Sequence, residues 1–284
     1  MKLDRLEDLF IPYVKGILYG EPGSGKTTLA ASAEKDPRMS PALLLNCVGN
    51  PISIRNMRPA PFLFHINDIN DIENVYNWLI DEQPEDHMIP RFYKGKFGVE
   101  LPKFKTVIGD QLTGLQGLFM RSHLGNRKMT DHKKAEFDDW AALLQWMDAI
   151  AFGFFENLQM HVIFTALERV EINRLSKTAS WGIGLMGQSQ QVVPSYAPLV
   201  ARLVRQKRIS DLDKKEFRLT DKAYNTAFFD ILGKFNAKDQ YGLGVTHMED
   251  PSMTRVLDLI LASRPKEPRA EVGLLISDDK RKDE

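Results

Sequence analysis

The residues with the clearest chemical reading stand at 20–27, "GEPGSGKT", which meet the pattern G-x-x-x-x-G-K-[ST] at every required position. Gly20, Gly23 and Gly25 let the backbone turn tightly and aim N–H groups at anionic oxygens. Lys26 brings a point charge for the terminal phosphates of a nucleotide, and Thr27 a hydroxyl for Mg²⁺. Gly20, Glu21, Pro22, Gly23, Ser24, Gly25, Lys26, Thr27 and Thr28 are thus the expected phosphate-binding stretch. Such a loop needs an acid on a neighbouring strand to hold the metal's water shell, and Asp110, closing the apolar run "TVIGD", is the candidate. Thr165, at the end of "VIFTALE", is placed to sense the γ-phosphate or orient a water; a strand-end threonine bonded to backbone is the plainer alternative.

These groups require strands that deliver them to one edge. "VKGILYG" (14–20) reads as a buried strand entering the glycine turn, and "GKTTLAASAEK" (25–35) as the helix whose positive dipole end faces the phosphates. Further strands are expected at "PALLLNCV" (41–48), "PFLFHI" (61–66), "FKTVIGD" (104–110) and "MHVIFTAL" (160–167). The spacing of Ile72, Val75, Trp78 and Leu79 predicts a helix over 70–83, and "LTGLQGLFMRS" (112–122) another. A long helix is predicted over 134–158, its core stripe being Phe137, Trp140, Ala141, Leu144, Met147, Ala151, Phe154, Phe155 and Leu158. Segment 168–193 is polar and rich in Gly, Ser and Gln, which fits a hairpin or ordered loop. "YAPLVARLV" (196–204) reads as a short helix or a helix-to-strand junction, and "EFRLTD" (216–221) alternates like a strand. Asp250 and Pro251 predict a cap and first turn for a last helix over 251–263. Strands alternating with helices imply an α/β fold, a mostly parallel central sheet flanked by helices, with ligands beyond the strands' C-terminal ends. The expected division is one domain over 1–262 and a flexible charged tail over 263–284.

Composition narrows the classes. With 284 residues, 43% hydrophobic and 27% charged, the chain can bury a large core. Lys+Arg and Asp+Glu are both 38, so any basic surface must be local. Cys47 is the single cysteine, which excludes an internal disulfide and a Cys-cluster zinc site and fits a reducing compartment. The N-terminus lacks the apolar core of a secretory signal, and the longest apolar-rich stretch, 149–155, is far too short to span a bilayer. A cytoplasmic protein with no membrane partner is expected.

"GEPGSGKTTLA", "TVIGDQLTGL", "HVIFTALE" and "PSYAPLVARLV", in that order, resemble the short RecA-like P-loop ATPases of bacteriophages that accompany single-strand annealing and recombination functions. The resemblance covers roughly residues 12–262. It implies Mg²⁺-dependent ATP hydrolysis, homo-oligomers with ATP at subunit interfaces, single-stranded DNA, a recombination or annealing partner protein, and the host cytoplasm. It carries phosphate and metal binding to Lys26 and Thr27, the second metal acid to Asp110, and the sensor strand to Thr165. It also puts a DNA-facing loop at 168–193. One departure stands out: RecA-like ATPases usually carry a glutamate just after the second strand, and here "LLLNCVGN" has no acid. Glu168 and Asp110 are then the candidates for the general base, while Gln111 could position water.

Basic residues supply candidate DNA contacts: Arg127, Lys128, Lys133 and Lys134 in one segment, Arg169, Arg174 and Lys177 in another, with Trp181 nearby for stacking. In "RLVRQKR" (202–208), Arg202 and Arg205 are candidate arginine fingers toward a neighbour's γ-phosphate. Two other readings stay open: a P-loop kinase for a nucleotide or small molecule, and an ATP-switched assembly module with little hydrolysis.

Overall fold

The computed structural model describes residues 12–49, 51–125, 134–172, 177–207, 223–229 and 236–263. The apolar runs at 14–20, 41–48, 61–66 and 104–110 form strands β1 (Lys15–Gly20), β2 (Ala42–Asn46), β3 (Phe62–His65) and β4 (Thr106–Asp110). The run at 160–167 continues further than expected, as β5 (His161–Ile172), because its polar second half pairs antiparallel with β6 (Ala179–Ile183). Beyond it lie β7 (Leu199–Lys207), β8 (Ala223–Phe228), β9 (Lys238–Asp239) and β10 (His247–Glu249). The helices are α1 (Lys26–Ala31), α2 (Ile69–Ile80), α3 (Met88–Phe97), α4 (Leu112–Leu124), α5 (Phe137–Phe152), α6 (Ser189–Tyr196) and α7 (Met253–Ala262).

The sheet runs β10-β8-β7-β1-β5-β4-β2-β3, with β6 on β5 and β9 on β7. Its centre is parallel: β1 pairs with β5 and β7, β4 with β5 and β2, and β2 with β3. The antiparallel pairs gather on the far side of β7 and in the β5–β6 hairpin. The fold is therefore the mostly parallel α/β sheet that the alternation of elements implied.

Both faces of the central strands are buried, which is why they read as unbroken apolar runs. The two-residue period of a strand sorts their side chains into two cores. Ile17, Tyr19, Leu43, Leu45, Val107 and Phe164 join α2, α4 and α5 on one face. Leu18, Leu44, Ile108 and Ile163 join α1 and α7 on the other. Gly109 belongs to this packing: a methyl group there would lie 2.2 Å from two ring atoms of the buried Phe164, its neighbour in register. The glycine makes room for an aromatic ring on β5.

Three local expectations change. The long helix starts at Phe137, its Glu136 cap completed by Asp139, and ends in a π-turn over Gly153–Asn157. Its buried stripe is Leu143, Met147, Ile150 and Ala151, continuing to Phe154, Phe155 and Leu158. Phe137 is 85% exposed and Trp140 41%, so the first part of the expected stripe lies off the core. The helix carries two apolar faces near its start, and periodicity does not say which one is covered. The last helix is capped two residues later than expected: Ser252 accepts the Arg255 N–H at 3.3 Å, while Asp250 sits at φ 44° outside the helix. Helix α3, unexpected from the sequence, packs on the core through Ile89 and Tyr93, while its Met88, Phe92 and Phe97 are exposed. The strand expected at 216–221 lies outside the described residues.

His161 shows how tightly the strand ends are packed. Its Nδ1 accepts the Val14 N–H at 2.9 Å, and burial holds its pKa down to about 4. The unfolded chain therefore binds the proton better, so stability falls as pH drops below about 6.5 and the loss saturates near about 4. His161 alone is expected to cost roughly 2 kcal/mol between about pH 7 and about pH 5. His161→Asn, which keeps a short acceptor, should flatten that dependence in denaturant titrations at the two pH values; an unchanged slope would refute the assignment. Gly109→Ala is expected to destabilise by about 1–3 kcal/mol through overpacking against Phe164. Thermal unfolding of Gly109→Ala with and without Phe164→Leu checks this, since relief by the smaller side chain is the specific signature.

Candidate functional site

β1 delivers Gly20 to the C-terminal edge of the sheet, and α1 starts at Lys26. The chain between them turns because Gly23 and Gly25 take left-handed conformations, φ 79° and 93°, which a side chain disfavours. Gly25 and Gly20 are also crowded. A methyl at Gly25 would lie 2.6 Å from Asn225 Nδ2, and one at Gly20 would lie 2.2 Å from the Leu203 carbonyl oxygen. Lys26 is buried and its Nζ donates to the carbonyl oxygens of Gly20 at 3.0 Å and Glu21 at 2.7 Å. Burial lowers its pKa, opposed by the carboxylates of Asp110, Glu168 and Glu21.

The parallel order β1-β5-β4 puts Thr165 between the loop and the acid. Thr27 Oγ1 donates toward both Asp110 carboxylate oxygens at 3.1 Å, and Thr165 Oγ1 donates to Asp110 Oδ1 at 2.5 Å. One carboxylate thus gathers the loop threonine and the sensor-strand threonine. The Thr27 hydroxyl and Asp110 carboxylate are hard oxygen donors side by side, a donor set that fits Mg²⁺. The left-handed loop beside them fits a chain of phosphates. Lys26 would neutralise phosphate charge and Asp110 would hold the metal's water shell; Mg²⁺ supplies Lewis-acid stabilisation when bound.

Glu168, the candidate base, follows directly on the β5 core. Its Oε2 accepts from Arg202 Nε at 3.1 Å, and its Oε1 is buried without a hydrogen-bond partner among the described residues. Arg202 also lies over the Trp181 ring, 4.7 Å from its centroid. Trp181 is thus half-buried against a guanidinium. Arg205 lies three residues on along β7, facing the other side of the sheet, and lines a cavity of about 420 Å³ with Gly23, Gly25, Lys26, Thr27, Thr28, Ser53 and Asn225. Gln111 is the N-cap residue of α4 but makes no side-chain cap.

The position of the missing glutamate is also resolved. Asn46 ends β2 beside Asp110, its register partner. Its Nδ2 donates to the Gly49 carbonyl at 2.6 Å, and its buried Oδ1 has no hydrogen-bond partner among the described residues. Of the candidate DNA contacts, Arg127, Lys128, Lys133 and Arg174 lie outside the described residues. Lys134 and Lys177 are exposed, and Arg169, also exposed, pairs with Glu171 at 3.3 Å. Sequence reasoning missed Ser53 and Asn225, which belong to no motif; pairing of β7 with β8 brings Asn225 there.

Breaking the Glu168–Arg202 pair isolates a buried carboxylate. Arg202→Met is expected to cost about 3 kcal/mol of folding stability, and adding Glu168→Gln should return most of it. Denaturant unfolding of both single variants and the double variant measures the coupling, and additive losses would refute it.

No curated protein matches the chain. Among solved structures, the crystal structure of the RadB recombinase is similar at 15% identity and a TM-score of 0.38, with 77% of this chain and 81% of that one covered. No helix among the described residues is long and apolar enough to cross a membrane. A family model described as an AAA domain matches residues 13–229, a span that holds the phosphate loop, Asp110, Thr165 and the β7–β8 pair, and the chain belongs to this family of AAA-type P-loop NTPases.

Proposed function

We propose that this chain is a Mg²⁺-dependent, RecA-like ATPase of DNA recombination or replication, of the phage type, acting on single-stranded DNA as a homo-oligomer. The observation that supports it most is the convergence of Lys26, Thr27, Asp110 and Thr165 at one sheet edge, with Thr27 and Thr165 both bonded to Asp110. In this reading Lys26 and the loop amides bind the phosphates. Thr27 and Asp110 hold the metal, and Thr165 reports the γ-phosphate to the acid. Glu168 is the proposed general base: both oxygens of Asp110 are engaged by threonines, whereas Glu168 Oε1 is without a partner among the described residues. The exposed Arg169 and Lys177 of the β5–β6 hairpin, with Lys134, are the proposed DNA-facing cations.

Asn46 favours a second reading, an ATP-switched assembly module with little turnover. An amide beside Asp110 can orient a water and cannot take its proton. Steady-state hydrolysis with and without single-stranded DNA separates the two. Turnover stimulated by DNA and lost in Lys26→Ala is the expected result, with a fall of about a hundredfold or more in Glu168→Gln. Nucleotide-dependent assembly without turnover would select the second reading, and no binding to single-stranded DNA at low salt would remove the DNA role.

A further inference from the structure

The cavity at the phosphate loop has a second wall, on the β7–β8 pair. Side chains along β7 alternate between the two cores: Leu199, Ala201 and Leu203 join the α1 side, and Val200 the other. Arg202 follows Val200 and is taken up by Glu168 and Trp181. Arg205 follows Leu203, so it emerges on the face that carries α1, just past the end of that core. Its direct partner across the antiparallel pair is Asn225, whose side chain shares that face. Asn225 is anchored on both sides. Its carbonyl accepts the Asp250 N–H at 2.8 Å, and its amide occupies the space that a Gly25 side chain would need.

The two cations of this cavity are differently disposed. Lys26 is buried and bent back onto the carbonyls of its own loop, whereas Arg205 is exposed and lines the opening. A guanidinium there can hold two oxygens of one phosphate in a planar fork, whereas the lysine ammonium acts as a compact point charge. We propose that Arg205, steadied by Asn225, grips the phosphates of the nucleotide bound in the loop of its own chain, and not those of a neighbouring subunit. This rests on the nucleotide binding proposed above and adds a positioning pair on the second wall of that site. Arg205 and Arg202, alike in the sequence, then have different tasks: Arg202 neutralises Glu168, and Arg205 faces the ligand.

The test uses the full chain and a fluorescent ATP analogue with Mg²⁺. Arg205→Ala is expected to weaken binding by about tenfold, Arg205→Lys by less, and Asn225→Ala by a smaller factor in the same direction. Because Arg205 is exposed, its variants should keep the wild-type unfolding temperature without ligand. Mixing Arg205→Ala with Lys26→Ala at equal concentration separates action within a chain from action across an interface. Within a chain, every subunit of the mixture lacks one half of its site and hydrolysis stays low. Recovery of hydrolysis on mixing, or full nucleotide affinity in Arg205→Ala, would overturn the inference while leaving the ATPase reading intact. Failure of the wild-type chain to bind nucleotide would overturn both.

Discussion

The arrangement depends on one carboxylate. Asp110 accepts hydrogen bonds from Thr27 at the head of α1 and from Thr165 on β5, so it ties the phosphate loop to two strands that are far apart in sequence. A buried or half-buried carboxylate is costly to strip of water unless donors replace it, and two hydroxyls do so here. In the proposed ATPase reading the same two hydroxyls face the metal and the γ-phosphate. The two hydrogen bonds link the head of α1 to β4 and β4 to β5, so any ligand that engages Asp110 or either threonine acts on contacts shared by these elements.

The insertion of β5 between β1 and β4 makes this possible and sets demands on the core. Phe164, one residue before Thr165, must fit beneath the Asp110 strand, and it does so because Gly109 has no side chain. Thr165 and Phe164 face opposite sides of the sheet, so the polar site on one face and the aromatic packing on the other are fixed by the same two residues. Glu168 then leaves the core at the start of the β5–β6 hairpin, where Arg202 neutralises it. The hairpin with its exposed cations is thus connected by a single strand to the threonine that touches Asp110.

Much of the fold was legible because strands buried on both faces read as apolar runs, and because Ile72, Val75, Trp78 and Leu79 mark a helix with one covered face. Where two faces competed, as at Phe137 and Trp140, periodicity could not choose, since coverage is a property of the neighbours. The cap of α7 moved from Asp250 to Ser252 for a similar reason: both residues can cap, and the β8–β10 pairing, extended by the Asp250 N–H bond to the Asn225 carbonyl, holds the chain until after Asp250. Helix α3 escaped notice because only Ile89 and Tyr93 of its apolar side chains reach the core, while Met88, Phe92 and Phe97 are exposed.

By itself the sequence determined the phosphate loop, since backbone turning, a lysine and a threonine are needed at fixed spacing within eight residues and no distant partner is required. It also marked Asp110, which does end β4, and Thr165, which lies inside β5 because that strand runs on to Ile172. Only the tertiary structure decided that these two meet, that Glu168 is paired with Arg202, and that Arg202 and Arg205 look to opposite faces of one sheet. Those outcomes depend on strand order and register, which are set by the packing of whole faces over long sequence separations and leave no local pattern to read.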